Sequence, residues 1–397
     1  AKAKEILGGD IETIVMKVSG NILKNAMGVG IPNTDMYGLQ VAVALSAIAG
    51  RASYGLEVLS GTNEEDACRA KKMVEDHRVT VLLADTAERL YIEAVVSNAT
   101  DTATVIISGG HTDFLSASKN GVPVHIETPG VSSSGEAGET SLTLHGIWNF
   151  SMSVPLAELA FLQDTIDLNC AIAKVGLTNE YGLRVGRSML CETEYSMEDT
   201  DLATYISAVT AAAADARMSG CSLPVMSTTG SGNQGITASL PVIAAAKKLH
   251  SSREELLRAL TLSELVTIHI KHHIGKLSAL CGCAIAASAG VSCALTYLKG
   301  GDRTKMYCAV QNMIADISGL ICDGAKETCS LKIATAVSGA VQCATLAIHG
   351  IAATQKDGIV EADVENSILN LARLGNQGMV ETDKVILDMM ITSPQFI

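Results

Sequence analysis

The chain of 397 residues carries 29 Lys and Arg against 42 Asp and Glu, a formal charge of -13, and is 48% apolar with only 3% aromatic residues. That length accommodates two or three domains with full cores, and 18% charged residues with seven prolines exclude a disordered or low-complexity chain. Basic residues occur only in short runs such as Arg69-Ala70-Lys71-Lys72 and Lys247-Lys248; this excludes nucleic acid as a partner, because a phosphate backbone needs concentrated positive charge, but not a small anionic metabolite, which needs only a local pocket.

The opening residues, AKAKEILGGD, read as helix and lack the apolar stretch of a secretory leader. The absence of an initial Met implies that further sequence precedes them. Residues 12–19, ETIVMKVS, alternate and are β-branched, which predicts a half-buried strand. A turn-rich loop follows at 28–38, then a small-residue helix at 39–48 and an acidic-to-basic helix at 63–75. Strands are predicted at 79–83, 90–96 and 103–108, after which SGGHTDF turns the chain into a strand pair near 114 and 122–126. This irregular alternation predicts an α+β domain over 1–135, ending in a Gly/Ser linker at 130–138.

From 136 to 397 the pattern predicts a large all-helical domain whose small side chains let helices approach closely. Its helices are expected at 156–176 (continuous or broken near Asn169), 200–216, 239–248, 253–273, through the Cys281 stretch, and at 305–318, 332–349 and 362–373. Residues 277–298, LSALCGCAIAASAGVSCALTYL, carry no charge, but their Ala, Gly, Ser and Cys content predicts the centre of a helical domain and not a membrane span. The loop at 218–235 is eighteen residues long, a length that is uncommon without a function.

Eleven cysteines, an odd number spread along the chain, exclude a secreted disulfide scaffold and point to a reducing cytoplasm. Seven of them crowd between Cys281 and Cys343. Cys281 and Cys283 form a Cys-x-Cys pair, but residues two apart on a helix face different ways, which argues against zinc unless the helix breaks at Gly282. Either these thiols are small buried hydrophobes, or Cys281 in a helix and Cys322 and Cys329 in a loop, at spacings of 41 and 7, converge on an iron–sulphur cluster. TTGSGNQGI, residues 228–236, precedes an apolar helix: it is either a capping loop or an anion site offering backbone N–H groups at Gly232 with Ser231, Asn233 and Gln234. His111, after two glycines at a strand end and next to Thr112, either satisfies a turn or binds a carboxylate and shuttles a proton.

The segments GVGIP, GLEVL, SGGHT, DARMSG, TTGSGNQGITASLPV, LSALC and SGLICDGAKETCSLK together resemble the L-cysteine desulfidase family, including its YhaM-like members, over essentially the whole chain. The C-terminal part is also similar to the alpha domain of iron–sulphur L-serine dehydratases. The resemblance implies a 4Fe-4S cluster held by Cys281, Cys322 and Cys329, with Cys283 as the local competitor for the last place. A further family cysteine lies in a Gly-Cys-Thr-Glu-Pro segment ahead of AKAKEILGG, a place this chain does not reach.

The implied reaction is α,β-elimination from L-cysteine or L-serine, giving pyruvate, ammonia and sulphide or water. The substrate carboxylate would lie on the SGNQG loop, His111 and Thr112, with the base among Lys326, Lys332, Ser231 and His272. The alternative is an amino-acid binding or sensing protein without a cluster. The Ala/Gly-rich surfaces suit a homodimer, but self-association alone explains neither the long loop nor the cysteine crowding.

Overall fold

The computed structural model describes residues 1–126, 142–191, 199–275 and 279–392. The expected linker at 130–138 and the expected junction between 135 and 136 lie outside the described residues. The chain forms two compact units: one is Ala1–Thr140 with Ser219–Ser222 and Gly324–Lys326, and the other is Ser141–Met218, Leu223–Asp323 and Glu327–Ile397. The first is α+β and the second is built of helices, as the sequence predicts.

In the first unit the strands are β1 (Thr13–Val18), β2 (Val79–Leu83), β3 (Tyr91–Ser97), β4 (Thr102–Ser108), β5 (Phe114–Lys119) and β6 (Val122–Pro123). They form one sheet in the order β2-β1-β3-β4-β5-β6. β1 and β2 are parallel, with Ile14 opposite Val79, and β1 is antiparallel to β3, with Ile14 opposite Val96. The helices are α1 (Lys2–Leu7), α2 (Gly20–Ala26), α3 (Leu39–Ile48) and α4 (Glu64–Glu75). Ile14, Val79, Val96 and Val105 share a core with Ala44, Leu45, Ala70 and Met73. Asn63 and Asp66 form a reciprocal capping box at the start of α4, fixing that helix where its apolar positions begin.

The second unit contains α5 (Leu144–Ser153), α6 (Leu162–Thr178), α7 (Val185–Cys191), α8 (Leu202–Met218), α9 (Gly232–Lys248) and α10 (Arg253–Ile274). These are followed by α11 (Ser288–Leu298), α12 (Arg303–Ile317), α13 (Cys329–Ile348), α14 (Val364–Arg373) and α15 (Val380–Ile391). α8 packs against α6, α7, α9 and α13. Small residues make this possible: a Cβ on Gly176 would run into the Ala212 carbonyl, and one on Gly186 into the backbone of Ala208 and Ala212. Dispersion between closely set backbones does here what large aromatic side chains do elsewhere.

Three expectations for this unit change. Residues 156–176 are not one helix: a short 3-10 turn, Leu156–Leu159, precedes α6. α6 is continuous through Asn169, a buried residue whose amide donates to Ser239 Oγ at 2.8 Å while its oxygen accepts from the Met226 N–H at 2.9 Å. α9 begins seven residues before the expected 239, so Gly232, Asn233 and Gln234 form its first turn and are not loop. Cys281 stands ahead of a π-turn, Cys283–Ala287, that runs into α11. Among the described residues one helix, α13, is long and apolar enough to cross a membrane, and half of its most apolar window is buried inside the fold.

Candidate active site

A two-strand bridge brings distant cysteines together in the second unit. Leu280 pairs antiparallel with Ile321. The Cys281 N–H donates to the Leu320 carbonyl at 2.9 Å, and the Cys322 N–H to the Ala279 carbonyl at 2.7 Å. Cys281 and Cys322, 41 positions apart in sequence, thereby become neighbours. The Lys332 ammonium secures the same loop, donating to the Ile321 carbonyl at 3.1 Å and pairing with the Asp323 carboxylate.

The Cys-x-Cys pair behaves differently from the helical expectation. Because Cys281 lies just outside the helix, its thiol reaches that of Cys283. The hydrogen bond from Cys283 lowers the Cys281 thiol to about 7 against the effect of burial, with help from the Ala284 N–H and Lys332. That same bond pushes Cys283 well up, reinforced by burial and by the neighbouring sulphurs of Cys281, Cys329 and Cys322. Cys283 is therefore close enough to feel the charge of three other sulphurs. Cys329 begins α13, where the helix N-terminus favours a negative sulphur.

Basic side chains lie around this quartet. Burial pulls Arg217 below its ordinary value, opposed by the sulphurs of Cys283 and Cys329. Arg217 Nη1 donates to Asn233 Oδ1 at 3.1 Å, and its guanidinium lies where a Gly232 side chain would stand. Lys271 is buried; a Cβ on Gly282 would lie 3.2 Å from its Nζ and 2.6 Å from Gln234 Oε1. Burial would lower Lys332, but Asp323 and the sulphurs of Cys281 and Cys322 raise it above its usual value.

The Thr228–Ser231 turn presents the start of α9. Thr228 and Ser231 exchange backbone hydrogen bonds of 3.2 and 3.1 Å, with Thr229 at φ 49 and Gly230 at φ 82. A β-branched residue in the left-handed region is strained. Thr229 Oγ1 accepts from Gln234 Nε2, which also donates to the Thr228 carbonyl at 3.3 Å. Ser231 Oγ accepts the Gln234 N–H at 3.4 Å as the cap of α9. A guanidinium at the positive end of a helix is unfavourable by itself and makes a strong site when an anion joins it.

Two carboxyls complete the surroundings. Asp215 is buried; burial raises it to about 6, although Ser330 and the Gly186 and Val185 N–H groups hold it, and its Oδ1 has no hydrogen-bond partner among the described residues. Glu264, raised to about 7 by burial, accepts from Thr228 Oγ1 at 2.6 Å.

The second unit thus assembles Cys281, Cys283, Cys322, Cys329, Ser231, Gly232, Asn233 and Gln234. His111 and Thr112 lie exposed on the β4–β5 turn of the first unit. Lys326 also belongs to the first unit, where it forms a parallel backbone bridge with Gly28. His272 is exposed, its ring edge-on to that of His273 at 5.5 Å. Sequence reasoning missed Arg217, Lys271 and Glu264. The signal for Arg217 was a charge in the alanine-rich TAAAADARM, since charges inside an apolar helix are buried with a purpose or not at all.

The chain matches the serine dehydratase alpha chain family over residues 53–388. It is 46% identical over 392 residues to UPF0597 protein BF3560 of Bacteroides fragilis, spanning 98% of this chain and 91% of that relative. The chain belongs to the UPF0597 family. A UPF0597 protein of Oleidesulfovibrio alaskensis is 44% identical over 393 residues, covering 99% and 92% of the two chains, and one of Clostridium perfringens is 41% identical over 389 residues, covering 98% and 91%. The family interval takes in the whole thiol quartet together with Arg217, Gln234 and Lys271.

Proposed function

We propose that this chain catalyses α,β-elimination from L-cysteine or L-serine, with an iron–sulphur cluster held by Cys281, Cys322 and Cys329. Its kinship with the serine dehydratase alpha chain family supports a lyase acting on an amino acid. The observation that carries the cofactor reading is the gathering of Cys281, Cys283, Cys322 and Cys329 beside Arg217 and buried Lys271. Among the described residues no three His, Cys, Asp or Glu side chains are grouped to hold a single metal ion. A multi-iron cluster sets its thiolates further apart than one ion does, and Gly282, without a side chain, lets Gln234 Oε1 and Lys271 Nζ approach the backbone between Cys281 and Cys283. The donor set therefore suits the cluster chemistry.

Bound there, a cluster with an open iron supplies a Lewis acid for the leaving thiol or hydroxyl. Arg217 and the first N–H groups of α9 bind the substrate carboxylate, and Asn233 fixes the guanidinium. Gln234, held through Nε2 by Thr228 and Thr229, keeps Oε1 for the substrate ammonium. Lys332, kept protonated by Asp323, contributes charge and is no base near neutral pH. Ser231 is occupied as the α9 cap. We assign acceptance of the α-proton to Lys271 Nζ, a step that requires its neutral amine. The Cα–H electrons then form the Cα–Cβ double bond as the thiol or hydroxyl departs. The aminoacrylate tautomerises to an imine, and water converts this to pyruvate and ammonia.

Anaerobic reconstitution followed by iron, sulphide and pyruvate assays with both amino acids tests the reading. Pyruvate with stoichiometric ammonia is expected, and iron is expected to fall in the Cys281→Ala/Cys322→Ala double variant. Full iron retention by that variant overturns the ligand assignment, and saturable amino-acid binding without pyruvate makes the chain a binder. Alanine substitution of His111, Thr112 and Lys326 tests the roles expected of those residues.

A further inference from the structure

Adjoining the Thr228–Ser231 turn of the candidate site, the second unit has a cleft of about 430 Å³ between α5, the 3-10 turn at Leu156–Leu159, α6, the 226–229 loop and α10. That volume lies within the range of small-molecule sites, roughly 300–1,000 Å³. The walls are predominantly apolar, with Phe150 and Phe161 49% and 66% exposed. Two charged groups line it, Glu158 and Glu264; no Lys, Arg or His does. Glu264 Oε2 accepts from Thr228 Oγ1 at 2.6 Å, and no hydrogen bond to its other oxygen occurs among the described residues.

We infer that this cleft binds a small monocationic amine with an apolar aryl or alkyl body, its ammonium paired with Glu264. The charge of the walls decides the sign: an anionic group would meet Glu158 and Glu264 without a compensating cation. The same argument separates this ligand from an amino-acid substrate, whose carboxylate would have to enter the cleft. The aromatic rings of Phe150 and Phe161 suit both an aryl body and the passing cation. Burial, which holds the Glu264 carboxyl near neutrality, is offset when the ammonium arrives and restores the ionised form.

Isothermal titration of the full chain with phenethylamine, 2-phenylethanol and 3-phenylpropionate tests this, since the three share a body and differ in the charged group. Phenethylamine is expected to bind saturably at one site, the alcohol roughly tenfold more weakly or worse, and the carboxylate not at all. Glu264→Gln, close in size to the native residue, is expected to reduce amine affinity to that of the alcohol, with a thermal melt verifying the fold. Phe161→Ala, at an exposed position, is expected to weaken amine and alcohol alike by a few-fold. The inference is overturned by no amine binding, by equal binding of amine and alcohol, or by unchanged amine affinity in folded Glu264→Gln. A dimer that covers Phe161 and blocks amine binding also overturns it.

Discussion

The Lys332 ammonium is paired with the Asp323 carboxylate while also holding the Ile321 carbonyl, so one side chain from α13 secures the loop that carries Cys322. Lys332→Met is expected to free that loop and leave Asp323 without this ion pair. Both side chains are partly exposed, at 22% and 35%, so solvent screening limits the stability loss to about 1 kcal/mol in urea unfolding. The larger effect is expected in iron retention by the anaerobic protein, because the loop presents a proposed ligand. Equal iron content in wild type and variant would show that the loop is positioned by its backbone bridge alone.

Arg217 is a different case, since its partner Asn233 is buried. Arg217→Met leaves Asn233 Oδ1 without its donor inside the fold, and a loss of about 1–3 kcal/mol is expected. Arg217→Lys keeps the charge but not the fork. In the lysine variant KM for the amino acid is expected to rise more than tenfold, with iron content unchanged, which distinguishes carboxylate binding from cluster assembly.

The two cysteine candidates for the third ligand are separated by single substitutions. Cys329→Ser is expected to lose iron, whereas Cys283→Ser retains most of it, because Cys283 is held as a thiol by its bond with Cys281. The reverse order of iron loss would exchange their roles.

Buried acids give the pH dependence a definite sign. Glu264 is raised from 4.5 to about 7 and Asp215 from 3.8 to about 6. Between the ordinary and raised values the folded chain binds a proton that the unfolded chain has released. Stability therefore falls as pH rises from about 4 to about 7, and the penalty is complete above that window. Glu264 accounts for a penalty on the order of 3 kcal/mol. Urea unfolding across this range is expected to show a shallower slope for Glu264→Gln, and a slope equal to that of wild type would contradict the burial of this group.

Thr229 tests whether strain serves the site. Thr229→Gly relieves a left-handed threonine but removes an acceptor of Gln234 Nε2. The opposing effects are expected to leave unfolding stability within about 1 kcal/mol of wild type, while kcat/KM falls as Gln234 loses its orientation.

Much of this architecture was legible because local and long-range signals agreed. The alternating ETIVMKVS became β1, and the acidic stretch beginning at Asn63 became a helix with Asn63 as its cap. Errors arose where tertiary contacts overrode local propensity. Glycines at 232 and 235 suggested loop, yet Arg217 occupies the place of one side chain and the Met226 backbone that of the other, so both belong to a helix. Cys281 and Cys283 looked divergent because the helix start could not be placed without the Leu280–Ile321 bridge. Lys271, between two histidine-containing turns, gave no sign of facing Gly282.

From Gly232 to Val242 every residue of α9 is buried, and its polar groups are committed inward: Thr237 to the Asn233 carbonyl, Ser239 to the Gly235 carbonyl, and Gln234 to the preceding turn. Such a helix has no neutral direction in which to rotate. One residue added to the Thr228–Ser231 turn would swing the sequence by about 100°, carrying Gln234 away from Gly282 and Asn233 away from Arg217. The length of that four-residue turn is thus as restrictive as the identity of any side chain it presents, and deletions or insertions there should be tolerated less than most substitutions.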